Sequence, residues 1–143
     1  MYKYGKGKIS GEDVILAEPL TYMNKSGNAV SSLLHYYKVL SSDLILIYDD
    51  IDLEAGQLKI KAKGGSGGHR GCASVISSIG TEDFLRIRIG IGRPVLGVDV
   101  VGYVLSEFNK AEISIIENAI ESAADAIIML VSNDLAGAMN RYN

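Results

Sequence analysis

The chain has 143 residues, 48% of them hydrophobic and 22% charged, a size and balance that suit one soluble globular domain with a single core. No stretch approaches the ~20 apolar residues of a membrane span. The N-terminal MYKYGKGKISGEDV lacks the apolar region of a signal peptide, and a lone cysteine, Cys72, excludes an internal disulfide framework, so the cytoplasm is the default location.

The net charge of −3 hides an asymmetry: residues 1–58 sum to −3, residues 59–93 to +5 and residues 94–143 to −5. A pI near 5.3 argues against broad nucleic-acid affinity. The central block can hold a phosphate-rich ligand through a focused field, or be no more than a solvated strand face.

In chain order, residues 2–10 and Val14-Ile15-Leu16-Ala17 suggest a hairpin with a polar, frayed first arm, a turn at Gly11-Glu12-Asp13 and a stop at Pro19. Ser26 is placed to cap a helix whose apolar face carries Ala29, Val30, Leu33, Leu34 and Tyr37, with His35 on the opposite, exposed face. The continuous apolar run Leu44-Ile45-Leu46-Ile47-Tyr48 predicts a central strand, buried on both faces, that stops at Asp49-Asp50. Residues 57–63 alternate, with apolar positions up to Ala62 on one face and Lys59, Lys61 and Lys63 on the other.

Residues 64–71 hold five glycines with His69 and Arg70, and Cys72, Val75, Ile76 and Ile79 then fit a short helix that Gly80 can end. Phe84-Leu85-Arg86-Ile87-Arg88-Ile89-Gly90-Ile91-Gly92 predicts a second alternating strand, with Arg86 and Arg88 on its polar face and Pro94 closing it. A glycine-containing loop and a short apolar stretch occupy residues 95–104. A long helix over about 109–131 carries Ile113, Ile116, Ile120, Ala123, Ala124, Ile127 and Leu130, and Asn133 or Asp134 caps a last short one. Strands interleaved with helices, without a repeat or linker, indicate a single α/β layered domain over 1–143.

A strand ending in carboxylates before a bare glycine loop is how an α/β protein builds a site at the carboxyl end of its sheet. The glycines satisfy neither G-x-x-x-x-G-K-[ST] nor G-x-G-x-x-G, no G-x-S-x-G elbow occurs, and His69 with Cys72 is too few ligands for zinc. Asp49, Asp50 and Asp52 can gather a hard cation, or one can cap the strand end while the others are solvated. A carboxylate there can also orient a histidine. His69, in a glycine loop, can equally hydrogen-bond a backbone carbonyl or act as a base. The residues alone lead to an α/β domain with a polar, partly basic cleft.

Four segments in order resemble the bacterial peptidyl-tRNA hydrolase family. Pro19-Leu20-Thr21-Tyr22-Met23-Asn24-Lys25-Ser26-Gly27 is similar to its P-x-T-[FY]-M-N-x-S-G, and Tyr48-Asp49-Asp50-Ile51-Asp52-Leu53 to its D-[DE]-x-D-L segment. Residues 64–71 resemble its G-G-x-x-G-G-H-N-G loop, and residues 84–94 its F-x-R-x-[RK]-x-G-x-G-x-P strand. The resemblance implies a three-layer α/β/α sandwich with a twisted mixed sheet. It also implies hydrolysis of the ester joining a peptide to the 3′ end of tRNA, releasing peptides from tRNAs that left the ribosome, with no metal or organic cofactor.

Carried over by motif, Asn24 hydrogen-bonds the substrate and positions the attacking water, and Asp49 orients and stabilises the catalytic histidine. Tyr22 and Met23 line the cleft. Gly67, Gly68, His69 and Arg70 belong to the loop that lets the tRNA terminus approach the backbone closely. Lys61, Lys63 and Arg88, joined by Arg70 and Arg93, are positioned to hold acceptor-stem phosphates.

Two departures qualify the match. The family opens with a core strand ending in G-L-G-N-P-G and a following R-H-N that supplies its general base, and neither occurs in these residues. The chain therefore reads as lacking that first core strand and the catalytic histidine, with weak or no activity by itself. The full-length family is expected to be monomeric, and a chain missing that strand to self-associate. Second, Arg70 stands where the family has asparagine. A tRNA acceptor-stem binding module without catalysis is the main alternative, and a metal-dependent enzyme using Asp49, Asp50 and Asp52 the other.

Overall fold

Residues 1–93, 100–104 and 109–143 are described in the computed structural model. β1 (Tyr2–Ile9) and β2 (Glu12–Pro19) pair antiparallel from Tyr2 opposite Pro19 to Ile9 opposite Glu12, a two-stranded sheet of their own. The first arm is thus paired along its whole length rather than frayed. The turn is only Ser10-Gly11, both at positive φ, of 51° and 81°, which lets the register run to the tip.

A 3-10 turn over Met23–Lys25 leads into α1 (Ser26–Tyr37). Ser26 is the first helical residue, not the cap: its Oγ donates to the Met23 carbonyl at 2.8 Å, locking the turn to the helix. Gly27, Ala29 and Leu34 are buried along α1, and His35 is exposed as its helical phase requires. Lys38, in the left-handed region at φ 54°, ends the helix.

β3 (Ile45–Asp50) and β4 (Leu58–Lys61) flank a later strand, β5 (Leu85–Gly90), in a three-stranded sheet of order β3-β5-β4. Leu85 N–H donates to the Leu44 carbonyl and Ile91 N–H to Asp50, so β3 runs parallel to β5. Gly90 N–H donates to Gln57 and Gly56 N–H to Gly90, so β4 runs antiparallel, and the sheet is mixed. Among the described residues the expected central strand is therefore an outer one of this sheet, and Ile47 at its middle is 44% exposed. The strand expected to alternate is the central one. Phe84, Arg86, Ile87 and Ile91, within β5 or next to its ends, are all buried.

β4 buries Leu58 and Ile60 and ends at Lys61, so Ala62 is exposed and the alternation stops two residues early. The side chain of Asn143 accepts from Ile60 N–H at 2.7 Å and donates to its carbonyl at 3.0 Å, satisfying outward-facing backbone groups of this outer strand.

α2 (Arg70–Ile79) starts at His69 and stops at Gly80, φ 76°. Pro94 and residues 95–99 of the expected glycine-containing loop lie outside the described residues, and the apolar stretch after them forms α3 (Val100–Val104). α4 (Lys110–Val131) opens with a reciprocal capping box, Asn109 with Glu112, and α5 (Leu135–Tyr142) with Asp134. On α4 the buried residues are Ala119, Ala123, Ala126 and Leu130, while Ile113 and Ile120 are exposed. Three alanines and Leu130, not the isoleucines, are its buried residues.

The chain divides into two compact units. One comprises 1–46 with 61–86, and the other 47–60 with 87–143. Charge divides unevenly between them: from the residues each contains, the first carries +3 and the second −6.

Candidate substrate site

In the first unit two segments far apart in sequence meet. The 3-10 turn that bears Met23 and Asn24 packs against the start of α2. The contact is close enough that a Cβ on the buried Gly71 would sit 2.6 Å from Met23 Sδ and 3.0 Å from His69 Cε1, so a larger residue there would have to displace the Met23 side chain. Tyr22, Met23 and Asn24 are all exposed, Tyr22 at 83%. Beside them the Thr21 hydroxyl is buried without a hydrogen-bond partner among the described residues.

Gly64, Gly67 and Gly68 take φ values of 138°, 59° and 86°, a conformation that side-chain-bearing residues rarely adopt. His69 N–H then closes a turn onto the Ser66 carbonyl at 3.1 Å. The His69 ring caps α2, its Nδ1 accepting the Cys72 N–H at 3.1 Å. An accepting Nδ1 requires the neutral ring with its proton on Nε2. Arg70, the first residue of α2, is exposed, as are Lys61 at the end of β4 and Lys63 beyond it.

The loop is held from below by Arg86. Its guanidinium, only 1% exposed, donates to the carbonyls of Gly65 at 3.1 Å and Glu82 at 2.7 Å, lies 3.5 Å from Cys72 Sγ, and stacks 4.2 Å from the centre of the Phe84 ring. Sequence reasoning placed Arg86 only on a polar strand face. Alternation reports which face a residue takes, not whether another element covers that face.

Asp49 and Arg88 belong to the second unit. Asp49 is half-buried at the penultimate position of β3. Asp50, next to it, accepts from Arg88 Nη1 at 2.8 Å and from Asp52 N–H at 2.8 Å, and Asp52 pairs with Arg93. These two carboxylates are thus directed at guanidinium groups rather than at one another. Among the described residues no group of three or more histidine, cysteine, aspartate or glutamate side chains gathers into a metal-binding cluster. No described helix is long and apolar enough to cross a membrane.

Comparison with known proteins places this geometry. All of residues 1–143 match the family model described as peptidyl-tRNA hydrolase. The peptidyl-tRNA hydrolase of Bacillus subtilis (strain 168) is 47% identical over 140 residues, 98% of this chain and 74% of that protein. That of Dehalococcoides mccartyi (strain CBDB1) is 46% identical over 142 residues, 97% of this chain and 75% of that protein. The crystal structure of peptidyl-tRNA hydrolase from Acinetobacter baumannii superposes with a TM-score of 0.91 at 36% identity, covering 98% of this chain and 71% of that one. A mixed α/β fold shared at that level, with a family match along the whole sequence, means that the chain belongs to the peptidyl-tRNA hydrolase family.

Proposed function

We propose that this chain binds the acceptor stem and 3′ end of peptidyl-tRNA and carries the substrate-holding part of the reaction that cleaves the peptide–tRNA ester, releasing free tRNA and peptide. The observation that carries this is the meeting of the Tyr22-Met23-Asn24 turn with the glycine loop in one unit. Two motifs of the family, more than forty residues apart, build one exposed surface, and it lies in the unit with net positive charge. Asn24 would hydrogen-bond the substrate and hold the attacking water. Gly67 and Gly68 would admit the 3′ end, with Tyr22, Met23 and His69 beside it. Lys61, Lys63 and Arg70 would hold phosphates, contacts that position without reading sequence, whereas Arg88, in the other unit, has its guanidinium paired with Asp50. Asp49 would orient a general-base histidine and stabilise its charged form.

Of the two histidines in these residues, His35 is exposed on α1, and His69 uses Nδ1 to cap α2. Protonation at Nδ1 would break that cap, so His69 is suited to holding the loop rather than taking a proton from water. The residues span about three quarters of the relatives' length and contain neither G-L-G-N-P-G nor R-H-N. A general base contributes about a hundred- to ten-thousandfold in rate, so by themselves they would turn over peptidyl-tRNA weakly while still binding it. The same observation favours the second reading, acceptor-stem binding without catalysis.

One experiment separates these. Tight binding of tRNA that weakens steeply with salt is expected, since phosphate contacts release counterions, and replacing Lys61 and Lys63 with alanine should reduce the slope of log affinity against log salt by about 2. Ester cleavage should be slow, and His69→Gln should lower it by far less than loss of a general base costs, about a hundred- to ten-thousandfold. Ordinary turnover abolished by that substitution would make His69 the base. No salt-sensitive binding would overturn the assignment altogether.

A further inference from the structure

We infer that Arg86 is a positioning residue for the substrate: buried beneath the glycine loop, it fixes the loop in the shape that distinguishes an acylated tRNA end from a bare one. This rests on the proposed binding of peptidyl-tRNA. Among the described residues no carboxylate forms an ion pair with Arg86, although the side chain is 1% exposed. A buried cation without an opposing charge is costly unless other groups compensate it. Here the compensation is two backbone carbonyls, at Gly65 and Glu82, and the face of Phe84.

The two carbonyls matter because of where they are. Gly65 lies at the start of a loop whose other residues include Gly64, Gly67 and Gly68, all at positive φ. A chain of glycines has no side chains to pack and the largest backbone entropy to lose. His69 secures its far end by capping α2, and the Met23 contact secures Gly71. Arg86 is the anchor of the near end, and its planar fork spans Gly65 and Glu82 at once, which a single ammonium does not reproduce. A loop anchored at both ends is preorganised, so the ordering cost is met on folding rather than on binding. Arg86 itself is covered and does not touch the substrate.

The test uses the chain as it stands, with Arg86→Met and Arg86→Lys. The probe is an acceptor-stem minihelix carrying an N-acetylated aminoacyl group at its 3′ end through an amide, which resists cleavage, alongside the same minihelix deacylated. The wild-type chain is expected to prefer the acylated probe. Arg86→Met should bind that probe about tenfold more weakly, erasing the preference, while the deacylated probe and the salt slope are unchanged because the phosphate-holding side chains are untouched. Arg86→Lys, which keeps the charge but not the fork, should fall between.

Variants that melt cooperatively and keep the wild-type preference would overturn the proposal. So would equal loss for both probes with a flatter salt slope, since that is the mark of a phosphate ligand. A wild-type chain that binds both probes equally leaves no preference to set and overturns it as well. Absence of salt-sensitive wild-type binding to either probe would instead sink the peptidyl-tRNA assignment, and this proposal with it. If Arg86→Met fails to fold, Arg86→Lys decides by the same criteria.

Discussion

Arg86 and Arg88 leave the same strand two residues apart, yet their charges are spent differently. Arg86 holds carbonyls under the glycine loop, and Arg88 faces the half-buried Asp50 carboxylate at 2.8 Å. Tyr37 gives a second example of a side chain set by its neighbours. Its ring stands 5.7 Å from Tyr4 and 4.9 Å from Tyr36. A hydrogen bond with Tyr4, then loss of solvent and the repulsion of nearby phenolates, push its phenol from 10.0 up to about 12.

The sign follows from linkage: between these two values the folded chain keeps a proton that the unfolded chain has released. The stabilising effect is therefore fully present below pH 10 and is lost as pH rises through about 12. Ultraviolet titration of tyrosinate should contain a component ionising near pH 12 that Tyr37→Phe removes. Tyr4→Phe should bring it back toward the ordinary value, and an unchanged midpoint would discount the hydrogen bond.

At the scale of elements, the packing of α1 against α2 depends on one glycine. A Cβ at Gly27 would collide with the Ser74 carbonyl oxygen and the Ser78 hydroxyl, and Gly27 N–H donates to Ser74 Oγ at 2.9 Å. The obstacle is backbone, so a side-chain rotation cannot relieve it. Gly27→Ala should cost about 1–3 kcal/mol, in the range of overpacked interiors, and lower the melting temperature by several degrees. Because the Met23–Lys25 turn is continuous with α1 and packs on α2, tRNA binding should weaken in the same variant. Ser78→Ala added to Gly27→Ala should recover little, and full recovery would place the strain at Ser78 instead.

At the scale of the whole molecule, the outer place of β3 bears on behaviour in solution. Its middle residue Ile47 is 44% exposed on an apolar strand, and such strands pair with copies of themselves. Sedimentation should show mass rising with protein concentration, and Ile47→Lys should suppress the rise. A monomer over the same range would count against association through this strand. The division of charge, +3 against −6, also puts the excess positive charge in the unit that contains the glycine loop, which suits the proposed binding of a polyanion by a chain of pI near 5.3.

Much of this was legible in the residues alone. The order of the four motifs identified the family, and local chemistry marked the helix ends, with Gly80 free to take positive φ and Asn109 three residues before Glu112. The alternation of residues 57–61 and the glycine loop are likewise written in the sequence, because they follow from each residue's own backbone preferences and period.

Tertiary structure decided which strand is central, why Arg86 is buried, that three alanines and Leu130 rather than the isoleucines are buried on α4, and that His69 Nδ1 is committed to Cys72. The physical reason is common to all four. Periodicity reports the faces of one element, whereas burial, charge pairing and the use of a lone pair depend on which other element lies across that face, and that neighbour comes from elsewhere in the chain.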